Sequence, residues 1–384
     1  MTATTLAFTS PTASNPATSP ASCAPDYIRK LPPYMGTRLP APVARAAGVT
    51  HLRKMASNEN PLGASPKALA AAQAALAESA LYPDAFATGL RSALSECFNT
   101  PAEGLVIGNG SSELIDLAAR CFLRSGDEAV YAQYSFIGYP LAVKSVGATS
   151  VVVPARAFGH DLDAMLAAIT PRTRLVFIAN PNNPTGTLLP ERDIVHFLEQ
   201  VPPEVLVILD EAYTEYLPPE HRMNAFALLP RFANLVVMRT FSKAYGLAGL
   251  RVGFAAAHAD VAELLNRTRL VFNVSMPAQA AALAALDDAD FLARTYRGNR
   301  EGMAMLTTAL RTLGLPFIES WGNFVAVDFS SASGGAAAVN SHLQAQGFFL
   351  RPLAPYGLPG HLRITIGLPE DNAALIDTLR ALLR

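Results

Sequence analysis

Lysine is the scarcest charged residue in this chain. Five stand in 384 residues (Lys30, Lys54, Lys67, Lys144 and Lys243), against 25 arginines. Charge of either sign is thin, at 16% of residues, and the formal net charge is -1. No basic block exists to hold nucleic acid or an anionic membrane. The three cysteines, Cys23, Cys97 and Cys121, form neither a disulfide framework nor a metal-ligand spacing, as expected of a reducing compartment. No apolar run approaches the roughly 20 residues of a membrane span. Residues 1–25 carry no charged side chain and are rich in Thr, Ser, Ala and Pro, the composition of a disordered tail. They lack the basic start and apolar core of a secretory signal and the arginines of a transit peptide. These absences point to a cytoplasmic protein with no metal, no nucleic acid and no membrane among its partners.

What is present is apolar residue, at 51%, in a chain long enough for a large domain and a smaller companion. Runs such as Leu175–Ile178, Val205–Leu209 and Leu235–Met238 are continuous Val/Ile/Leu/Met/Phe stretches, expected where both faces of a sheet are covered. Strands are predicted at Glu128–Tyr131, Ser150–Pro154, Arg174–Ala179, Val205–Asp210, Leu235–Thr240 and Val252–Ala256. Helices fall between them, at Leu162–Ile169, Glu191–Glu199 and Asp260–Arg269. The pattern is a mostly parallel α/β sheet with functional residues at strand C-terminal ends. After Ser275 the texture becomes that of a smaller α+β unit. The expected organisation is a tail at 1–25, a segment at 26–55 packing with the small domain and a partner subunit, a large domain at 56–270 and a small domain at 271–384.

Lys243 stands in Thr240-Phe-Ser-Lys-Ala-Tyr-Gly-Leu-Ala-Gly-Leu-Arg-Val-Gly253, just past an apolar strand. Arg cannot lose its proton and attack a carbonyl, whereas a lysine amine of lowered pKa forms a Schiff base. Three more motifs follow strands. Gly108-Asn-Gly-Ser-Ser-Glu113 is a glycine turn feeding a helix N-terminus, whose free N–H groups suit a phosphate. Asn180-Pro-Asn-Asn-Pro-Thr-Gly186 is a rigid turn that can aim an amide into a cleft. Asp210-Glu-Ala-Tyr213 ends a buried strand on a carboxylate, costly unless it meets a positive partner. Each alone reads equally well as a turn, a cap or a surface loop. Together, in this order on successive α/β units, they do not.

With Ala56-Ser-Asn-Glu-Asn-Pro-Leu-Gly63, Tyr82-Pro-Asp84 and Leu362-Arg-Ile-Thr-Ile-Gly367, these motifs resemble the pyridoxal-phosphate aminotransferases of fold type I. More narrowly they are similar to the histidinol-phosphate aminotransferase branch, from about residue 26 to the end. The resemblance implies a mostly parallel seven-stranded sheet between helices plus a smaller α+β domain. It implies pyridoxal 5'-phosphate as cofactor, its aldehyde held by Lys243 and its ring nitrogen facing Asp210. Asn183 and Tyr213 would hydrogen-bond the phenolic oxygen. Phe136 would stack on the ring, with Tyr139 as competitor for that place. Ser111, Ser112, Thr240, Ser242 and Arg251 would cradle the phosphate. Tyr82 would reach the phosphate of a second subunit, which implies a homodimer. Arg363 would grip the substrate carboxylate, with Arg351 as a further anion contact and Tyr34 and Asn60 adding to the substrate site.

The implied reaction is ping-pong transamination through a Schiff base, from a small-molecule amino donor (glutamate) to an oxo acceptor. In this branch the acceptor is imidazole-acetol phosphate, which makes histidinol phosphate. The glycine turn departs from the branch pattern, with Ser112 where Asp is more often expected; a backbone phosphate contact survives that change. The alternatives are an aromatic or broad-specificity aminotransferase of the same fold and a non-catalytic cofactor-binding regulator. For the regulator, residues 1–25 are too short and uncharged to serve as a DNA-binding module.

Overall fold

A computed structural model describes residues 19–31 and 52–383 of the chain. The large domain is built on a seven-stranded sheet: β2 (Leu105–Gly108), β3 (Glu128–Ala132), β4 (Thr149–Val153), β5 (Thr173–Ala179), β6 (Leu206–Asp210), β7 (Leu235–Thr240) and β8 (Gly253–Ala257). Their spatial order is β2-β8-β7-β6-β5-β3-β4. Only β8 runs against its neighbours β2 and β7; the other pairings are parallel. The apolar runs make this arrangement because they feed two cores at once. Val176, Ile178, Val207 and Leu209 point into one apolar cluster, and Leu175, Phe177, Leu206 and Ile208 into another on the opposite face. That is the period-two alternation of a strand covered on both sides.

The sheet's register decides where chemistry can sit. Ala179 lies opposite Asp210 and Asp210 opposite Met238, while Thr240 and Gly108 both lie opposite Gly253. The ends of β2, β5, β6 and β7 therefore share one edge of the sheet, the place where open α/β sheets bind ligands.

The small domain carries a four-stranded antiparallel sheet of order β12-β13-β10-β9. Its strands are β9 (Phe317–Ile318), β10 (Phe324–Asp328), β12 (Arg351–Pro352) and β13 (His361–Thr365). A two-stranded parallel ladder joins β1 (Arg53–Lys54) to β11 (Phe348–Phe349). Met55 is buried in the small-domain core, and its carbonyl accepts from Thr365 N–H at 2.9 Å.

Three expectations about organisation are corrected. The boundary at 270/271 falls too early. The helix Met276–Leu286 packs on the helix Pro66–Ala75, and its Ala278, Ala281, Ala282 and Ala285 belong to the large-domain core. The transition lies instead at the long helix Ala289–Thr312, whose far end supplies Leu306 and Leu310 to the small-domain core. The segment 26–55 is divided. Its start, the helix Asp26–Arg29, lies against the large-domain helix Gly138–Ser145, and its end, Arg53–Met55, joins the small domain; residues 32–51 lie outside the described residues. In the tail, Ser19 Oγ caps the 3-10 turn Pro20–Cys23, accepting from Ala21 N–H at 3.3 Å; residues 1–18 lie outside the described residues.

Candidate active site

At the sheet edge the structure forms a cleft with about 120 Å³ of free room. It is lined by Ser111, Ser112, Phe136, Ala179, Pro181, Asn183, Asp210, Ala212, Tyr213, Thr240, Ser242, Lys243 and Arg251. Ten of these are residues singled out above, contributed by five strand ends and the loops after them. A wider surface depression beside Arg156, His160 and His196 shares no lining residue with it.

Lys243 is held off bulk water, its Nζ donating to the Ser57 carbonyl at 2.9 Å. Burial, and then the charges of Arg363 and Arg251, depress its amine to about 7; Glu59 and Asp210 pull the other way. A lysine so depressed is substantially neutral and nucleophilic at physiological pH. Asp210 is also buried, and burial pushes its carboxyl up. The Tyr139 hydroxyl, the Ala212 N–H and the Lys243 charge oppose that shift. Tyr139 O–H donates to Asp210 Oδ2 at 2.9 Å, and Ala212 N–H to Oδ1 at 3.2 Å. The carboxylate is thus pinned from both oxygens, with the cleft left for a cationic partner.

Those contacts also separate the two aromatic candidates in place. Tyr139 is fully buried and stacks on Phe177 at 4.6 Å between ring centroids, so it lies behind Asp210. Phe136 lines the cleft and meets Tyr139 edge-on at 5.8 Å.

The opposite end of the cleft is shaped for an anion. The helix Ser111–Phe122 begins after Gly110 with no side chain capping its first turn, which leaves N–H groups and the positive helix end facing the cleft. Arg251 NH1 donates to Ser242 Oγ at 3.2 Å and to the Ala248 carbonyl at 3.0 Å. Two glycines make room. A Cβ on Gly110 would come within 2.3 Å of Arg251 NH2, and one on Gly253 within 2.7 Å of Ser111 N. Thr240 Oγ1 accepts from Ser242 N–H at 3.1 Å.

The small domain closes the side. Arg363 is buried. It donates to the Ala56 carbonyl at 2.9 Å and, through NH1, to Asn183 Oδ1. Arg351 lies directly opposite it in the β12/β13 pair, which puts two cations on one sheet face.

Arg363 reaches the lining residue Asn183 without itself lining the cleft, and four further candidates do not stand in the cleft. Asn60 is a correction. Its amide donates to the Ala244 carbonyl at 2.8 Å and to Thr295 Oγ1 at 2.9 Å, tying the loop to the long helix, and it faces a separate cavity. Arg351 borders the site from the small domain and is not a lining residue. Tyr82 is 79% exposed and stacks on Phe272 at 4.6 Å, away from this chain's own cleft. Tyr34 lies outside the described residues.

Sequence reading missed Asn58, which donates to the Tyr213 hydroxyl at 2.8 Å, and the anchoring role of Tyr139. It also missed a buried ion cluster beneath the site, where Arg239 meets Glu211 at 2.8 Å and Glu215 at 3.9 Å. The Asn-rich Ala56–Gly63 loop was the available signal for Asn58, but nothing in it distinguishes Asn58 from Asn60.

This donor set fits pyridoxal phosphate point for point: a depressed amine for the aldehyde, a buried carboxylate for the ring nitrogen, Asn183 and Tyr213 for the phenolic oxygen, and an uncapped helix end with Arg251 for the phosphate. The relatives agree. A histidinol-phosphate aminotransferase of Thiobacillus denitrificans is 51% identical, over 94% of this chain and 94% of its own. One of Nitrosospira multiformis is 49% identical over 93% and 91%. The crystal structure of histidinol-phosphate aminotransferase from Sinorhizobium meliloti, in complex with pyridoxal-5'-phosphate, is 30% identical. It superposes with a TM-score of 0.84 over 93% of this chain and 97% of that one. An aspartate aminotransferase of Thermus thermophilus, 22% identical, shares the fold with a TM-score of 0.83. The profile of aminotransferase class I and II matches residues 50–379, and the chain belongs to that family.

Proposed function

We propose that the chain is a pyridoxal-phosphate-dependent aminotransferase that moves an amino group between glutamate/2-oxoglutarate and histidinol phosphate/imidazole-acetol phosphate. It would serve histidine biosynthesis as a cytoplasmic homodimer. The observation that carries the reading is one cleft holding a depressed lysine and a buried carboxylate, with two arginines paired at its small-domain side. The bound cofactor supplies an electron sink for the carbanion; the protein supplies the rest. Asp210, pinned by Tyr139 and Ala212, keeps a proton on the ring nitrogen by favouring its charged form. Lys243 Nζ accepts the α-proton of the amino donor and returns a proton to the α-carbon of the acceptor. Arg363 holds the donor's carboxylate through its fork. Arg351 stands opposite Arg363 across the strand pair and adds a second positive charge toward a substrate anion. The pair favours a doubly charged phosphate over an uncharged aromatic side chain.

Tyr82 and its neighbours supply the argument for the dimer. Leu81, Tyr82, Phe86, Leu270 and Val271 are each more than 60% exposed, and exposed apolar patches of this kind mark interfaces. Tyr82 would then act in the partner's site. The reading is tested by following pyridoxamine formation in the purified enzyme with glutamate, histidinol phosphate and phenylalanine. Turnover of histidinol phosphate with glutamate is expected. Turnover of phenylalanine with none of histidinol phosphate would shift the assignment to an aromatic aminotransferase. No turnover of any donor, with the cofactor bound, would shift it to a binding protein.

A further inference from the structure

The Ala56–Asn60 strap touches the machinery in turn: the Ala56 carbonyl accepts from Arg363, the Ser57 carbonyl accepts from Lys243 and the Asn58 amide donates to Tyr213. The contact at Asn58 has a fixed direction. Its backbone N–H donates to Thr365 Oγ1 at 3.0 Å, so the single hydroxyl proton of Thr365 is free to go to Asn58 Oδ1, 3.1 Å away. That sets the carbonyl side of the amide toward Thr365 and its NH2 toward Tyr213. The Tyr213 oxygen therefore accepts from Asn58, and its own proton remains to be donated elsewhere. Asn323 Nδ2 holds the Asn58 carbonyl at 3.1 Å. Asn58, Thr365, Asn323 and Tyr213 are all buried, and Asn58 sits at φ +58°, a left-handed conformation that Asn tolerates.

We infer that Asn58 is a positioning residue that ties Tyr213 to the small domain, reserving the Tyr213 hydroxyl proton for the cofactor's phenolic oxygen. The inference rests on the cofactor reading above. Thr365 lies two residues beyond Arg363 in β13, so the docking that delivers the substrate arginine also seats Asn58 on Tyr213. Substrate grip and cofactor electronics are set by one packing event. Burial pushes the Tyr213 hydroxyl up to about 12, with Arg363 and the Asn58 hydrogen bond pulling it back, consistent with a donor held protonated and polarised.

A hydrogen bond to the phenolic oxygen favours its anion, which lowers the proton affinity of the conjugated lysine–cofactor chromophore. The test is the pH midpoint of visible absorption in the holoenzyme. Asn58→Gly keeps the left-handed backbone and removes the amide. It should raise the midpoint by about half to one unit, the worth of one such hydrogen bond. Asn58→Asp keeps the shape but accepts the Tyr213 proton, and should raise it further. In a Tyr213→Phe background, Asn58→Gly should add nothing. Wild-type midpoints in both single variants, or an equal Asn58→Gly shift in the Tyr213→Phe background, would reduce Asn58 to a structural spacer even if thermal stability fell. Should Asn58→Gly fail to fold, Asn58→Asp decides: its shift must shrink in the Tyr213→Phe background, and an undiminished shift overturns the proposal. A wild-type protein with no pH-dependent colour would instead sink the cofactor reading.

Discussion

The two halves of the cleft are built on different principles. In the large-domain half, each functional residue is the end of its own strand or stands in the loop just after it: Asp210 closes β6, Thr240 closes β7 and Lys243 follows three positions later. In the small-domain half, Arg363 and Thr365 lie within β13, and they reach the site because a whole domain docks against the strap. The first half is set by local register and, apart from Tyr213 with its tie to Asn58, should resist single changes elsewhere. The second is set by docking and should respond to anything that loosens it.

The largest expected effect lies wholly in the first half. Lys243→Ala should abolish visible absorption and lower the rate by at least about a thousandfold, checked by absorbance and steady-state kinetics. Retained colour would mean that another amine carries the cofactor. The second half breaks differently. Arg363→Lys keeps the charge and loses the fork, so kcat/KM for glutamate should fall about 10- to 100-fold while the absorption spectrum is unchanged. If the spectrum moved as well, the halves would be less separable than their architecture implies. The Arg363–Asn183 hydrogen bond, where they touch, would be the place to look.

A smaller effect sharpens the contrast in the cofactor-free protein. Lys243 titrates at about 7 in the fold and near about 10.4 when unfolded. Between those values the unfolded chain binds more protons. The contribution of this group to stability is therefore least below pH 7 and grows as pH rises toward 10. The unfolding free energy of the apo protein, from denaturant titration, should climb from pH 7 to 9 on the order of 1–2 kcal/mol. In Lys243→Met the climb should shrink; an identical climb would place the titrating group elsewhere.

How far the site was legible follows the same division. The central strands and the residues at their ends could be read because an apolar run buried on both faces, followed by a turn, reports its own C-terminal end. Lys243, Asp210, Asn183, Ser111 and Arg251 were readable in that way and meet in one cleft. Asn60 was misread and Asn58 overlooked because both are loop asparagines with the same chemistry. What separates them is which side chain the docked small domain clamps: Thr365, 307 positions away, takes Asn58, and Thr295 takes Asn60. Tyr139 and Phe136 were an undecided pair for a similar reason. Three residues apart on one turn, they are divided by which faces the core, and Tyr139 faces Phe177 and Asp210. The domain boundary was misplaced because the alanine-rich helix Met276–Leu286 has no composition of its own to say which core it joins.

The amino-acid sequence by itself determined the parallel sheet, the order of its chemical groups and the identity of the one lysine among them, because those depend on residues near each other along the chain. The tertiary structure alone decided which amide serves Tyr213, which aromatic ring backs Asp210 and how two arginines come to share a face. Each of those depends on contacts between segments whose separation no local pattern records, and only the burial of two apolar cores against one strap brings them within hydrogen-bonding distance.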